Sequence, residues 1–367
     1  MRIAYFTETY FPQINGVTYT IDAWREELQA RDHEVHVVYP DSAHQPRRGE
    51  HPVASVETRV VEGYRLGAAF PREVADRVGD VDVVHGHGPF SLGVLGQRVA
   101  KRQDVPFVAT HHTPLYRYFD YLSGQPELHA ALYYVYKGWE RLFYRSCDAA
   151  LAPSQYTADK LAGRIAREIT PLSNGLDTNF FAPSEPALRA EHGLEDDRVV
   201  GFCGRLGHEK NLDELLDFAD RFDGHVLVAG DGFARDHYEP RFQAHPSITY
   251  VGRLPRERMP QFYSSLDAFL IPSTVETQGV SVLEANACGV PAVGADAMAL
   301  SETIVDGENG KHYTPGDVDE LAAAVEEVYE DLDRFQERSR MLAEQHSITS
   351  VVDDLLDIYH HLQESPR

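Results

Sequence analysis

The chain has 367 residues, of which 43% are hydrophobic, and its formal net charge is −24. This length predicts two domains at about 150 residues each, and no apolar run approaches the ~20 residues that a membrane-spanning helix needs. The acidic charge argues against a nucleic-acid partner, because contact with phosphates needs a basic surface.

Short apolar runs alternate with helical patterns along the first half of the chain. Parallel strands that are covered on both faces read as continuous apolar runs. On this basis strands are predicted at 2–7, 33–39, 81–87, 105–112 and 148–154. Helices are predicted between them, for example over 19–32 and 90–103.

The same alternation begins again after residue 195. Strands are predicted at 198–205, 224–232, 247–253, 266–273 and 290–296. Two such series predict an α/β protein with two doubly wound parallel-sheet, Rossmann-like domains that face each other across a cleft. We expect an N-terminal domain over 1–180, a linker over 181–197, a C-terminal domain over 198–347, and a helix over 348–367 that packs back on the N-terminal domain.

The residues that directly follow the strands are candidates for the functional site, because ligands bind beyond the carboxyl ends of parallel strands. Arg205 and Lys210 suit a diphosphate, since a guanidinium binds two oxygens and an ammonium acts as a point charge. A solvated basic turn is the alternative. After the first strand, Gly16 precedes a helix whose first N–H groups can approach a phosphate or a sugar, or it belongs to a plain turn.

Two glutamates follow the predicted strand 266–273. Gly279 marks a turn, and the next helix should begin near Val280 or Ser281, with the N–H groups of 279–281 directed at a phosphate. Glu284 is then placed to accept both hydroxyls of a ribose, and Glu276 to reach a sugar hydroxyl. The alternative is a hydrolase pair, whose carboxylates would have to flank one scissile bond.

Four histidines lie at strand ends, namely His85, His87, His111 and His112. We expect the two members of each pair to point to opposite faces, so that one lies in the core and the other faces the cleft. A metal site is disfavoured, because its ligands must converge. The DxD sequences at 80–82, 317–319 and 331–333 are better explained as solvated caps.

Six motifs in order carry a resemblance that covers nearly the whole chain. They are FPQINGV, VVHGHGPFSLG, PSQYTADKL, SNGLDTNFF, GRLGHEKN and ETQGVSVLEANACGVPAV. The chain resembles the retaining GT-B glycosyltransferases of family 4. The resemblance implies that Arg205 and Lys210 hold the diphosphate of a nucleotide-sugar donor, that Glu284 binds the ribose and Glu276 the transferred sugar, and that His112 lies at the reacting sugar.

The remaining site assignments follow the same resemblance. Donor contacts are also assigned to Gly16, Gln278, Gly279, Val280 and Ser281, although many family members have Phe or Tyr where Gln278 stands. No metal or other cofactor is expected. The acceptor side is assigned to Tyr10, His85, Tyr116 and Tyr118.

The segment 115–145 bears on the acceptor. It holds ten of the 38 aromatic residues, and four basic minus three acidic residues give it a charge of +1. Such a segment suits a membrane interface. Alternatively, Leu132, Tyr136, Trp139 and Phe143 form the buried face of a helix. The TETQG and THHTPLYRYFDY stretches are similar to the branch that glucosylates diacylglycerol, which implies a lipid acceptor.

The sequence therefore predicts retaining transfer of a hexose from UDP-glucose or GDP-mannose to the hydroxyl of a membrane lipid. A soluble or polyprenyl-linked glycan acceptor, or a non-catalytic sugar-nucleotide-binding protein, are the alternatives. Glu8 interrupts any signal peptide, so we expect a cytoplasmic protein, peripheral on the membrane. Only five of the 34 basic residues are lysines, which favours the surface of a halophile, and the three cysteines favour buried free thiols.

Overall fold

The computed structural model describes residues 1–13, 15–57, 65–112 and 126–364, without the side chains of 126–131. The chain forms two compact units. One comprises Met1–Gly175 together with Ile348–Arg367, and the other comprises Leu176–Ser347. None of the helices formed by the described residues is long and apolar enough to cross a membrane.

The N-terminal unit is built on a seven-stranded parallel sheet. Its described strands, with a small antiparallel pair β4–β5, are β1 (Arg2–Phe6), β2 (Glu34–Pro40), β3 (Glu50–Val53), β4 (Ser55–Glu57), β5 (Arg65–Gly67), β6 (Val83–Gly86), β7 (Phe107–Thr110), β8 (Ala149–Ala152) and β9 (Thr170–Pro171). The order across the sheet is β3-β2-β1-β6-β7-β8-β9. The five strands predicted for this half are confirmed.

Helices cover both faces of this sheet. They are α1 (Gly16–Ala30), α2 (Pro71–Val78), α3 (Ser91–Gln103), α4 (Pro126–Arg145) and α5 (Gln155–Ile165). One apolar core contains residues from α2, α3 and α5, and another contains residues from α1. Burial on both faces explains why the central strands are apolar throughout.

The C-terminal unit repeats this design with a six-stranded parallel sheet in the order β12-β11-β10-β13-β14-β15. Its strands are β10 (Val199–Arg205), β11 (His225–Asp231), β12 (Ile248–Gly252), β13 (Ala268–Ile271), β14 (Ala292–Ala295) and β15 (Gly310–Tyr313). Its described α-helices are α6 (Ala187–His192), α7 (Asp213–Ala219), α8 (Arg235–Ala244), α9 (Met259–Ser264), α10 (Val280–Ala287), α11 (Leu300–Thr303), α12 (Val318–Glu330) and α13 (Leu332–Glu344). The two-sheet α/β class is confirmed.

The division between the units differs from the expected one. The segment 181–197, expected to be a linker, contains α6 and packs into the C-terminal core through Phe181, Leu188 and Leu194. Its two prolines and the lack of a strand pattern suggested a linker, but these three apolar side chains pack it into the C-terminal core. The last helix, α14 (Ile348–Glu364), belongs to the N-terminal unit, where it packs on α1.

The sequence did not predict the antiparallel pair β4–β5 or three strands of the parallel sheets, and these three all lie at sheet edges. They are β3, β9 and β15, with the sequences EHPV, TP and GKHY. An edge strand buries less of its surface and tolerates proline, so it lacks the continuous apolar run of a central strand.

Candidate functional site

Two predicted donor-site residues meet at the carboxyl edge of the C-terminal sheet. Lys210 closes a 3-10 turn (His208–Lys210) soon after β10, and Glu276 lies in the loop after β13. Lys210 Nζ is 2.5 Å from Glu276 Oε1. Both side chains are largely buried, with exposed fractions of 16% and 15%. Lys210, from the loop after β10, is thus paired with Glu276, from the loop after the neighbouring strand β13.

Arg205, the last residue of β10, has a partner that the sequence analysis missed. Its Nη2 is 2.8 Å from Oε1 of Glu209, whose side chain is 3% exposed whereas that of Arg205 is 49% exposed. The buried carboxylate thus orients a guanidinium that still reaches solvent. The four-residue spacing within GRLGHEKN was the available signal. We call Arg205, Glu209, Lys210 and Glu276 the ion cluster.

The start of α10 requires glycine. Gly279 caps the helix with φ of +83°, and a Cβ there would lie 2.8 Å from Leu300 Cδ2. The helix begins at Val280, as predicted, and its first N–H groups have no partner within the helix. Such a terminus favours an anion. Gln278 is buried, and its backbone carbonyl accepts a hydrogen bond from Thr303, so it also supports this turn.

Glu284 lies on α10, half-buried. Its Oε2 accepts a hydrogen bond of 2.7 Å from the hydroxyl of Tyr263. Burial raises the pKa of Glu284, and the bond from Tyr263 acts against that rise. One carboxylate oxygen is thus engaged within the protein, and no sequence motif indicated that Tyr263 has this role.

The N-terminal unit places three histidines in a stack. The ring centroids of His85 and His87 are 4.5 Å apart, and those of His87 and His112 are 5.3 Å apart, with the ring planes nearly parallel. His87 Nδ1 and His112 Nε2 are hydrogen bonded at 3.0 Å. We call His85, His87 and His112 the histidine column.

The column corrects two expectations. His85 and His87 were expected to point to opposite faces, but residues two apart in an extended strand share a face. His85 was assigned to the acceptor side, but it is fully buried, with its ring nitrogens 2.7 Å from the hydroxyls of Tyr359 and Thr110. His111 does diverge from His112, and bonds Tyr144 at 3.3 Å.

Burial keeps these histidines neutral. Desolvation lowers the pKa of His112 to about 4 and that of His111 to about 3, and it places the pKa of His85 and His87 well below the usual value. All four side chains are therefore uncharged at pH 7 and act as hydrogen-bonding groups. They do not act as cations there.

His112 is also bonded to the side chain of Asn174. The backbone carbonyl of Asn174 in turn accepts a bond of 2.8 Å from Trp24 Nε1. Asn174 stands one residue before the end of the N-terminal unit's first segment, within the SNGLDTNFF motif. The motif had marked this stretch, but it did not reveal the partnership with His112.

Two other predicted site residues of the N-terminal unit, Gly16 and Tyr10, differ in exposure. Gly16 is the first residue of α1, after the cap Asn15, and among the described residues a Cβ there would meet nothing within 4 Å. Its backbone is therefore accessible. Tyr10, assigned to the acceptor side, is buried, and its hydroxyl contacts Glu50 at 2.9 Å and Arg47 at 2.8 Å. It belongs to an internal polar network.

Helix α4 combines the two alternatives that the sequence left open. Tyr136 and Phe143 are buried, whereas Val135, Trp139 and Leu142 are exposed, with Leu142 at 68%. The exposed apolar positions are accompanied by Lys137, Arg141 and Arg145. Its one acidic residue in 132–145, Glu140, is buried and is 3.0 Å from Arg164. The helix thus presents an apolar and basic surface.

Some predictions concern other positions or ions. Tyr116 and Tyr118 lie outside the described residues. Among the described residues, no group of three or more His, Cys, Asp or Glu side chains is arranged to hold a metal ion. Asp317, from one DxD sequence, caps α12 by accepting a bond of 3.0 Å from the backbone N–H of Glu320.

Two protein-family models match the chain in sequence. The model for Glycosyltransferase Family 4 matches residues 14–180, and the model for Glycosyl transferases group 1 matches residues 184–346. The first covers the N-terminal histidines and the second covers the ion cluster and Glu284.

Known proteins similar to the chain are similar over most of their length. A GDP-mannose-dependent alpha-mannosyltransferase of Mycobacterium tuberculosis is 30% identical over 98% of this chain and 96% of its own. An alpha-monoglucosyldiacylglycerol synthase of Acholeplasma laidlawii is 28% identical over 84% of each. HepE from Anabaena, solved in complex with UDP, superposes with a TM-score of 0.80 at 20% identity, covering 99% of this chain and 100% of its own.

Proposed function

Because the chain belongs to glycosyltransferase family 4 and is an enzyme of that kind, we propose that it moves a hexose from a nucleoside-diphosphate sugar to the hydroxyl of a membrane lipid, with retention at the anomeric carbon. The observation that carries the donor half is the ion cluster beside the start of α10. Two cations and a helix N-terminus form a site for a diphosphate.

In this proposal donor binding exchanges partners within the ion cluster. Lys210 and Arg205 turn to the diphosphate, Glu276 accepts from a hexose hydroxyl, and Glu284 accepts from the ribose. His112, in the N-terminal unit, is assigned to the reacting sugar. Gly16 and the N–H groups of Gly279, Val280 and Ser281 add donor contacts.

The chemical step breaks the bond between the anomeric carbon and the diphosphate oxygen. The lipid hydroxyl oxygen bonds to the anomeric carbon on the same face, and its proton passes to the leaving phosphate. Arg205 and Lys210 stabilise the negative charge that develops on the diphosphate, which is the electrostatic contribution that dominates many enzymes. The donor is either UDP-glucose or GDP-mannose, and the mannosyltransferase relatives support the latter.

Helix α4 supports the lipid acceptor. Its exposed apolar and basic side chains suit an anionic membrane surface, in a chain whose net charge is −24. The diacylglycerol-directed relatives support the same acceptor class. We place the enzyme on the cytoplasmic side as a peripheral protein, working in a high-salt cytoplasm.

Nucleotide release at high salt tests the proposal. The purified protein would be given UDP-glucose or GDP-mannose alone, with anionic phospholipid vesicles, and with the same vesicles containing diacylglycerol. Release that requires diacylglycerol supports the proposal and identifies the donor. Release with soluble or polyprenyl-linked glycans instead moves the acceptor to that class. Donor binding without release in any mixture indicates a non-catalytic binding protein.

A further inference from the structure

Tyr263 occupies a rigid position beneath Glu284. It lies on α9, is fully buried, and packs edge-on against the rings of Phe262 and Phe269 at centroid distances of 5.6 Å. Its ring therefore has no freedom to follow the carboxylate. The hydroxyl reaches Glu284 Oε2 at 2.7 Å, so that the position of this oxygen is set by the core of the unit.

We infer that Tyr263 is a positioning residue that holds one oxygen of Glu284 so that the other is presented to a ribose hydroxyl, and that it thereby makes the site selective for ribonucleotides. The inference rests on the proposed function, which assigns the ribose to Glu284. It differs from the sequence expectation, in which Glu284 accepts both hydroxyls of the ribose.

A second tyrosine–glutamate pair in the same unit shows what a purely structural bond looks like. Tyr313 is buried and donates to Glu214 Oε2 at 2.5 Å. Glu214 Oε1 accepts two further bonds, from Gly316 N at 3.0 Å and Asn211 Nδ2 at 2.8 Å. Both oxygens of Glu214 are thus used within the protein. For Glu284, Tyr263 is the one hydrogen-bond donor among the residues that the structure describes.

The surroundings of Glu284 predict a pH signature. The groups that face it are Tyr263 from α9, Cys203 from β10, Cys288 at the end of α10, and Arg256. Burial raises the pKa of Glu284, and the Tyr263 bond lowers it. Removal of the hydroxyl therefore raises this pKa further, and less of the carboxylate is ionised as the pH falls.

The test is the binding of UDP and GDP, and of their 2′-deoxy and 3′-deoxy forms, to the full chain and to two variants. Tyr263→Phe keeps the ring packing and should weaken ribonucleotide binding by roughly five- to tenfold, the scale of one hydrogen bond. The same substitution should weaken the binding of the 2′-deoxy or the 3′-deoxy nucleotide much less. Its affinity should also fall more steeply than that of the wild type as the pH is lowered, because loss of the hydroxyl raises the pKa of Glu284 further.

Tyr313→Phe is the matched control. It removes the same hydroxyl from an equally buried ring, so it should lower thermal stability and leave the ribose-to-deoxyribose affinity ratio unchanged. The inference is overturned if Tyr263→Phe keeps the wild-type ratio and pH profile, or if both variants lose affinity equally.

Glu284→Gln provides a second route that does not depend on the folding of the tyrosine variant. It should reduce the same affinity ratio, and Tyr263→Phe added to it should reduce the ratio no further. A wild-type ratio in Glu284→Gln overturns the inference while nucleotide binding itself persists. Failure of the wild type to bind any nucleoside diphosphate contradicts the proposed function, and that outcome is distinguishable.

Discussion

The carboxyl edges of the two sheets carry opposite kinds of chemistry. In the C-terminal unit charge is retained because each cation of the ion cluster has a carboxylate partner, as in the pairs Lys210–Glu276 and Arg205–Glu209. In the N-terminal unit burial removes the charge, and the histidine column is held by ring stacking and by neutral hydrogen bonds. Comparable strand-end positions in two similar sheets thus carry charged groups in one unit and neutral groups in the other, according to their partners.

This contrast has a physical cause in where the side chains originate. The ion-cluster residues stand at a strand end or in the loops beyond, where Arg205 reaches solvent. His85 lies within β6, and His87 and His112 follow β6 and β7 within two residues, so all three are covered by neighbouring helices. A buried charge without a partner is costly, and a buried histidine therefore releases its proton.

Acid should reveal the largest difference between the two regions, because protonation puts charge on the buried histidines of the N-terminal unit and so lowers its stability. The pKa of each of these histidines is lower in the folded state, so the folded chain binds fewer protons than the unfolded chain. Stability therefore falls as the pH drops from about 6.5 towards 4. His111 and His112, with pKa of about 3 and about 4, account for several kcal/mol. Glu8, with its pKa raised to about 7, acts in the opposite sense but is outnumbered.

Tryptophan fluorescence can follow this effect in one unit. Both tryptophans, Trp24 and Trp139, belong to the N-terminal unit, and Trp24 is 5.8 Å from His85 and His87 by ring centroid. Urea unfolding at about pH 7.5 and about pH 5 should show a lower midpoint at the acid pH. An unchanged midpoint would mean that the column accepts protons without cost.

Lys210→Ala tests the charged region directly. It removes the cation assigned to the diphosphate and leaves Glu276 without its partner, so turnover should fall by ~10²-fold or more. Lys311→Ala is the control. Lys311 is likewise a paired lysine, with Asp306 and Glu327 as its partners, but it lies on β15, away from the ion cluster. Equal turnover in the two variants would remove Lys210 from the site.

Glu284→Ala tests whether the C-terminal unit binds the ribose of the nucleotide. A hydrogen bond to a charged group contributes about 1.5–3 kcal/mol, so nucleoside-diphosphate affinity should fall by roughly 10- to 100-fold when measured by calorimetry. If nucleotide affinity stays at the wild-type value, the ribose binds elsewhere.

His87→Leu tests the neutral region. It keeps a side chain of similar bulk but removes the bond to His112, so turnover should fall by about tenfold while nucleotide affinity is retained. His51→Leu is the matched control, because His51 Nε2 bonds His36 Nδ1 at 2.9 Å in the same unit. A loss of turnover that is the same in both variants would point to general destabilisation.

Trp139→Ala should have the smallest effect. Trp139 is 43% exposed on α4, and loss of its contact should lower association with anionic vesicles by several-fold, the scale of one interfacial aromatic side chain. Met341→Ala, an exposed apolar residue of the C-terminal unit, should have no such effect in the same sedimentation assay. Vesicle binding that survives in Trp139→Ala would argue against α4 as the membrane surface.

Central strands and strand-end residues were predictable, because continuous apolar runs identify buried parallel strands. The helix start at Val280 was predictable from Gly279 for the same kind of local reason. Edge strands such as β3 were not predictable, because proline and charged residues interrupt their apolar runs. The prediction of a linker over 181–197 was wrong, because Phe181, Leu188 and Leu194 are spaced too irregularly to indicate a buried element.

The sequence by itself determined the two sheets, the family motifs and the identity of the strand-end residues, because these depend on neighbours along the chain. Only the tertiary structure decided what each of them contacts. Lys210 and Glu276 are 66 residues apart, and His85 and Tyr359 are 274 apart. Burial, hydrogen bonding and therefore charge state are set by such distant partners, which is why the neutrality of the histidine column and the role of Tyr263 appear only in the folded chain.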